Sequence, residues 1–104
     1  MTTTTDKQAI LESNTFRRLL AEAGYADWAV RNEPFSPNDS RLGEPNTLWV
    51  NRIKRLNPRD DLESPLAVQH GMTWSIGILV PTDEGGRWLH VYLNDDLTQG
   101  IYEK

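Results

Sequence analysis

The chain has no cysteine. That excludes a disulfide framework, a thiolate zinc site and a cysteine nucleophile. A reducing cytoplasm is the compartment expected for such a chain. Histidine is scarce: His70 and His90 only. A three-histidine zinc centre is therefore excluded, and a site of mixed ligands would need both histidines and a nearby carboxylate such as Asp61, Asp95 or Asp96. Long apolar runs are missing too. "SIGILVP" falls far short of the ~20 residues of a membrane span. The start, "MTTTTDKQAI", has no basic segment followed by an apolar run, so no signal peptide is expected.

Catalytic signatures are also lacking. There is no G-x-x-x-x-G-K-[ST] or G-x-G-x-x-G phosphate loop and no G-x-S-x-G elbow. "HGM" and "HVY" lack the Ser or Thr of the His-x-Ser/Thr motifs of two-histidine phosphodiesterases. The carboxylate pairs Asp60-Asp61, Asp83-Glu84 and Asp95-Asp96 fall in expected loops. There they read as solvated turn residues rather than metal or acid–base partners. No cofactor and no metal are expected.

What is present is an ordinary globular composition, 38% hydrophobic and 25% charged over 104 residues. This favours one domain spanning 1–104 that buries roughly 65% of its unfolded surface. Net charge is −4, unevenly spread. Residues 41–59 hold five bases against one acid, and residues 60–104 hold eight acids against two bases. Such asymmetry can steer a charged partner.

Along the chain, residues 1–5 read as a frayed tail. Thr5 and Gln8 fit a capping box. Ile10, Phe16, Leu19, Leu20 and Ala23 recur at helical spacing, and Gly24 is a suitable terminator, which predicts an amphipathic helix from about Asp6 to Ala23. "SNT" at 13–15 is its weak point and could split it. Residues 27–33 and 48–56 read as strands, joined by a long proline-rich loop at 33–47. In "LWVNRIKRL", Leu48 and Val50 fall on one face and Trp49 and Ile53 on the other, a broken pattern that implies two-sided cover or a bulge. Residues 57–71 allow a helical turn after Ser64-Pro65 or a tight hairpin at His70-Gly71; the helical turn is preferred.

The clearest element is a hairpin over 73–94. If Val80 opposes Arg87, then Ile78 faces Leu89, Ile76 faces Val91 and Trp74 faces Leu93 on one side. Leu79 faces Trp88, Gly77 faces His90 and Ser75 faces Tyr92 on the other. The loop "PTDEGG" would use Gly85-Gly86 for positive φ. Residues 98–103 add a short last strand. The expected fold is α+β: the N-terminal helix on one face of an antiparallel sheet of about four strands, with this hairpin at its centre.

The row Trp88, His90, Tyr92 is the candidate surface. It could cover the strand glycine Gly77 or serve as a docking platform. The expectation is a small, acidic, non-catalytic protein that binds another protein through this face and its acidic loops, Asp83, Glu84, Asp95 and Asp96. Inhibitors, immunity proteins and phage or plasmid accessory factors are of this type. The partner's surface would be basic. The acidic pI near 5.0 disfavours direct nucleic-acid binding, although "NRIKR" at 51–55 follows Trp49. The alternative is a small enzyme or ligand-binding domain with a pocket around His90 and Tyr92.

Overall fold

A computed structural model describes residues 7–32, 46–56, 65–82 and 85–103. Its N-terminal part is helical, with a break where Ser13 stands. Helix α1 spans Lys7–Glu12 and α2 spans Asn14–Glu22. Ser13 has extended backbone angles, φ −67° and ψ 145°. Its hydroxyl donates to the Ile10 carbonyl at 2.9 Å and accepts the Phe16 N–H at 3.1 Å, so one side chain closes α1 and caps α2. The single helix expected over Asp6–Ala23 is thus two, split at its weak point. Gly24, with φ 103°, ends α2 as foreseen. Tyr25 N–H bonds to Leu20 at 2.8 Å and Gly24 N–H to Ala21 at 3.0 Å, the paired bonds of a Schellman motif. Thr5 of the capping box lies outside the described residues; the Gln8 amide nitrogen donates to Glu12.

Among the described residues five strands follow rather than about four: β1 (Ala29–Arg31), β2 (Thr47–Arg55), β3 (Trp74–Thr82), β4 (Gly85–Leu93) and β5 (Gly100–Glu103). They lie side by side in chain order. All pairs are antiparallel except β1 with β2, which are parallel, so the sheet is mixed. Parallel neighbours need a crossover of about a dozen residues or more. The fifteen residues between Arg31 and Thr47 supply that length, which gives the proline-rich connection a topological purpose.

The β3–β4 register is the one the side-chain pattern requires: Ile78–Leu89, Ile76–Val91 and Trp74–Leu93 on one face, Leu79–Trp88, Gly77–His90 and Ser75–Tyr92 on the other. The ladder runs two pairs further than expected, through Pro81–Gly86 and Thr82–Gly85. Gly85 and Gly86 are therefore strand residues, not the turn. A Cβ on Gly86 would lie 2.8 Å from Leu79 Cδ1, so this glycine makes room for Leu79.

In β2 the register shifts between Val50 and Arg52, leaving Asn51 as an extra residue. This bulge reverses the alternation beyond it. Ile53 therefore joins Leu48 and Val50 on the core face, contrary to a plain reading of the strand, and Arg52 turns to the opposite side beside Gly77.

The core lies between that face and α1–α2. Ile10, Phe16, Leu19 and Leu20 meet Leu48, Val50, Ile76, Ile78, Leu89, Val91 and Leu93. Both ends of α2 are tied to the β4–β5 corner. Thr15 donates to the Leu97 carbonyl at 2.7 Å, and the Tyr102 hydroxyl donates to the Glu22 carbonyl at 3.3 Å. Gly100 lets the helix sit close, because a Cβ there would stand 2.7 Å from Leu19 Cδ1 and 2.6 Å from Leu93 Cδ2.

The third helix, α3 (Pro65–Gln69), realises the helical alternative for that segment. Gly71, with φ 75°, ends it instead of turning a hairpin. The helix packs on the other face: Ala67 joins Leu56 and Tyr92 in a separate apolar cluster edged by Met72 and Ile101. Helices therefore occupy both sides of the sheet, not one. Among the described residues, no helix is long and apolar enough to cross a membrane.

Candidate functional site

The sheet register lays out the second face in three rows. Arg31, Trp49, Leu79 and Trp88 form the first; Arg52, Gly77, His90 and Glu103 the second; Lys54, Ser75, Tyr92 and Ile101 the third. The first row is closed at Trp49 and Leu79, which are buried together, with the Arg31 guanidinium 5.4 Å from the Trp49 ring. The third is closed at Tyr92, only 4% exposed beneath α3.

Between them, no described residue covers the sheet. A groove of about 380 Å³ is lined by Asn51, Arg52, Gly77, Trp88 and His90. Gly77 forms its floor because it has no side chain to fill the row. The points nearest that missing side chain are Arg52 Cβ and Trp88 Cζ3, each 3.8 Å from where a Cβ would stand. The rings of Trp88, His90 and Tyr92 form a ladder. Centroids are 6.3 and 6.4 Å apart and planes are inclined by 21° and 13°. Buried Tyr92 anchors this ladder at one end, and its other end reaches solvent. Trp88 is 43% exposed, the only large apolar side chain so exposed among the described residues.

The covering reading of the aromatic row holds in part. Trp88 leans an edge over Gly77, as a ring covering a strand glycine does, and still presents much of its surface outward. His90 is half-buried in the groove wall. Asp95 and Asp96 are exposed in the turn after β4, beyond five residue steps of strand from Trp88, about 16 Å at the usual rise. They are not brought to the groove. Asp83 and Glu84 lie outside the described residues.

Arg52 was visible in the sequence only as part of a basic run. The break in alternation after Val50 is the signal that could have placed it: one extra residue at Asn51 puts Arg52 across from Gly77. Arg52 is exposed and makes no ion pair with any described residue. Among the described residues the groove lining holds this cation and no carboxylate. Its neighbour Arg55 is used internally. Its guanidinium lies 5.0 Å from the Trp74 ring and 3.8 Å from the Asp95 carboxylate.

The acidic turn has its own structure. Asn94 Oδ1 accepts the N–H groups of Thr98 and Gln99 at 2.9 and 3.1 Å. The Thr98 hydroxyl donates to Asp96 at 2.7 Å and holds that carboxyl below its ordinary value. This loop presents Leu97, at φ 62°, to the core.

Chemically, the described lining of the groove offers one cation, one indole face, one imidazole and one carboxamide. Tyr92 does not line it. Among the described residues, no three His, Asp or Glu side chains gather into a group that could hold a metal ion. No family model, curated protein or solved structure matches the chain.

Proposed function

We propose that this chain is a non-catalytic binding protein that engages another protein through the open part of its second sheet face. The observation that carries this reading is Trp88: a large ring held by its neighbours, 43% exposed, beside a groove with an exposed arginine. Trp and Arg are the residue types enriched among the side chains that dominate binding energy at protein interfaces. A fixed indole loses little conformational freedom on docking. The groove is open and its described lining holds no carboxylate; Glu103, across from His90 on β5, does not line it, which favours recognition over proton transfer.

The acidic residues have a separate part in this proposal. The chain's charge of −4, with Asp83, Glu84, Asp95 and Asp96 at the ends of the hairpin, attracts a partner whose wider surface is basic. That is the behaviour of an inhibitor, immunity protein or accessory factor acting in the cytoplasm. The test is affinity capture from the host cell with wild-type protein and Trp88→Ala. A partner held by the first and lost from the second is the expected result. Identical partner sets would discard the aromatic surface as the binding site.

A further inference from the structure

We infer that the groove over Gly77 takes an extended peptide segment of the partner that carries one carboxylate side chain two residues from an apolar one. This rests on the reading of the second face as a protein-binding surface, and adds the chemistry of what fills it.

Three observations lead there. The first is charge. Arg52 is the groove's cation, exposed and without an ion pair among the described residues, while no described lining residue is acidic. A guanidinium matches a carboxylate in planar, two-bonded geometry. The second is the field around it. The chain as a whole carries −4, so a polyanion such as single-stranded nucleic acid meets net repulsion, whereas a lone carboxylate on an otherwise neutral or basic protein does not. Arg31 and Lys54, in the rows beside it, already have partners, so among the described residues Arg52 is the cation of this face left for a carboxylate.

The third is spacing. Arg52 Cβ and Trp88 Cζ3 each lie 3.8 Å from the Cβ position of Gly77, so they stand no more than twice that distance apart. In an extended peptide, side chains i and i+2 point to one side about 6.6 Å apart. From that Cβ the flexible arginine stem can carry its guanidinium to a carboxylate at one position while an apolar side chain at the other lies against the Trp88 ring. His90 lines the groove, where its imidazole can bond the peptide backbone.

The test is a titration of the isotope-labelled full chain, followed by the indole N–H of Trp88 and the backbone amides of Gly77 and His90. The probes are blocked hexapeptides containing Glu-Ser-Leu, Gln-Ser-Leu or Lys-Ser-Leu, and a ten-residue thymidine oligonucleotide. Saturable shifts in the groove with the Glu peptide are expected. The Gln peptide should bind about tenfold more weakly, the Lys peptide less again. Arg52→Gln should bring the Glu peptide down to the Gln peptide's affinity, while Arg87→Gln, a change at another exposed arginine, should not.

Equal affinity for Glu and Gln peptides, unaltered binding by Arg52→Gln, tighter binding of the oligonucleotide, or no groove shift with any probe would each overturn the inference. Thermal melts of both arginine variants confirm that they fold. If the peptides fail while Trp88→Ala still loses the captured partner, the binding face stands and only its proposed occupant falls.

Discussion

The two faces of this sheet are made by the same strands and differ in how completely they are closed. On the core face, every residue of β3 and β4 from Trp74 to Val80 and from Leu89 to Leu93 that points inward is buried under α1 and α2. On the second face the ends are closed, by Trp49 with Leu79 and by α3 over Tyr92, and among the described residues nothing covers the middle row. A strand's period of two assigns residues to faces. It does not determine whether a face is covered. That depends on which distant segments return to it, and here a helix of only five residues covers one end.

The largest contrast between the faces should come from removing one ring on each. Phe16 is fully buried between α2 and the sheet. Phe16→Ala should cost about 3–5 kcal/mol, the transfer of a large side chain plus the cavity it leaves. Trp88→Ala should cost no more than about 1 kcal/mol, because the ring is partly in water already. Urea unfolding monitored by far-ultraviolet dichroism measures both. Comparable losses would mean that the second face belongs to the folding core and not to a binding surface.

A finer contrast comes from two glycines. Gly100→Ala places a methyl group within 2.6 Å of Leu93 Cδ2 and of the Tyr92 carbonyl oxygen, where backbone and core must yield. The expected loss is about 1–3 kcal/mol. Gly77→Ala meets its nearest atoms at 3.8 Å, ordinary contact distance. It should be neutral or stabilise by roughly 0.5 kcal/mol, since glycine in a strand interior is conformationally costly. The same substitution raises the groove floor and should weaken partner binding. Gly77→Ala losing more stability than Gly100→Ala would show that packing, not the groove, requires Gly77.

Much of this was legible in local chemistry. The β3–β4 register followed from apolar pairing, because a one-residue slip would set core residues against polar ones. In sequence the helix reads as one, with its weak point at Ser13, where the side chain's competition for backbone groups splits it. The parallel β1–β2 pair was not legible, since parallel pairing leaves no turn signal and depends on a crossover. The bulge at Asn51 was visible only as broken alternation, with no local sign of which residue was extra. That ambiguity hid Arg52, which left the groove's aromatic wall readable and its cation not. Gly86 misled for a related reason: a glycine that admits Leu79 looks the same in sequence as one that turns a chain.

The smallest expected effect concerns whether the acidic turn after β4 belongs to the closed side of the molecule. Its Asp96 is fully exposed, which invites a binding role, yet its carboxylate accepts the Thr98 hydroxyl within a turn that carries Leu97 to the core. That bond lowers the folded-state pKa of Asp96 below its ordinary value of 3.8. A carboxyl whose pKa falls on folding stabilises the folded state above its unfolded pKa, and that contribution disappears as pH drops through the lowered folded value. Wild type and Thr98→Val should therefore differ in urea midpoint above pH 3.8, and the difference should shrink in stronger acid to the part carried by the Asn94–Thr98 bond. Because the variant keeps every other carboxyl, the comparison isolates this one. A difference that stays constant across the acid range would mean that Thr98 contributes through its bond to Asn94 alone. Asp96 would then be a solvated charge, available to a partner as an exposed carboxylate and not needed by the turn that holds it.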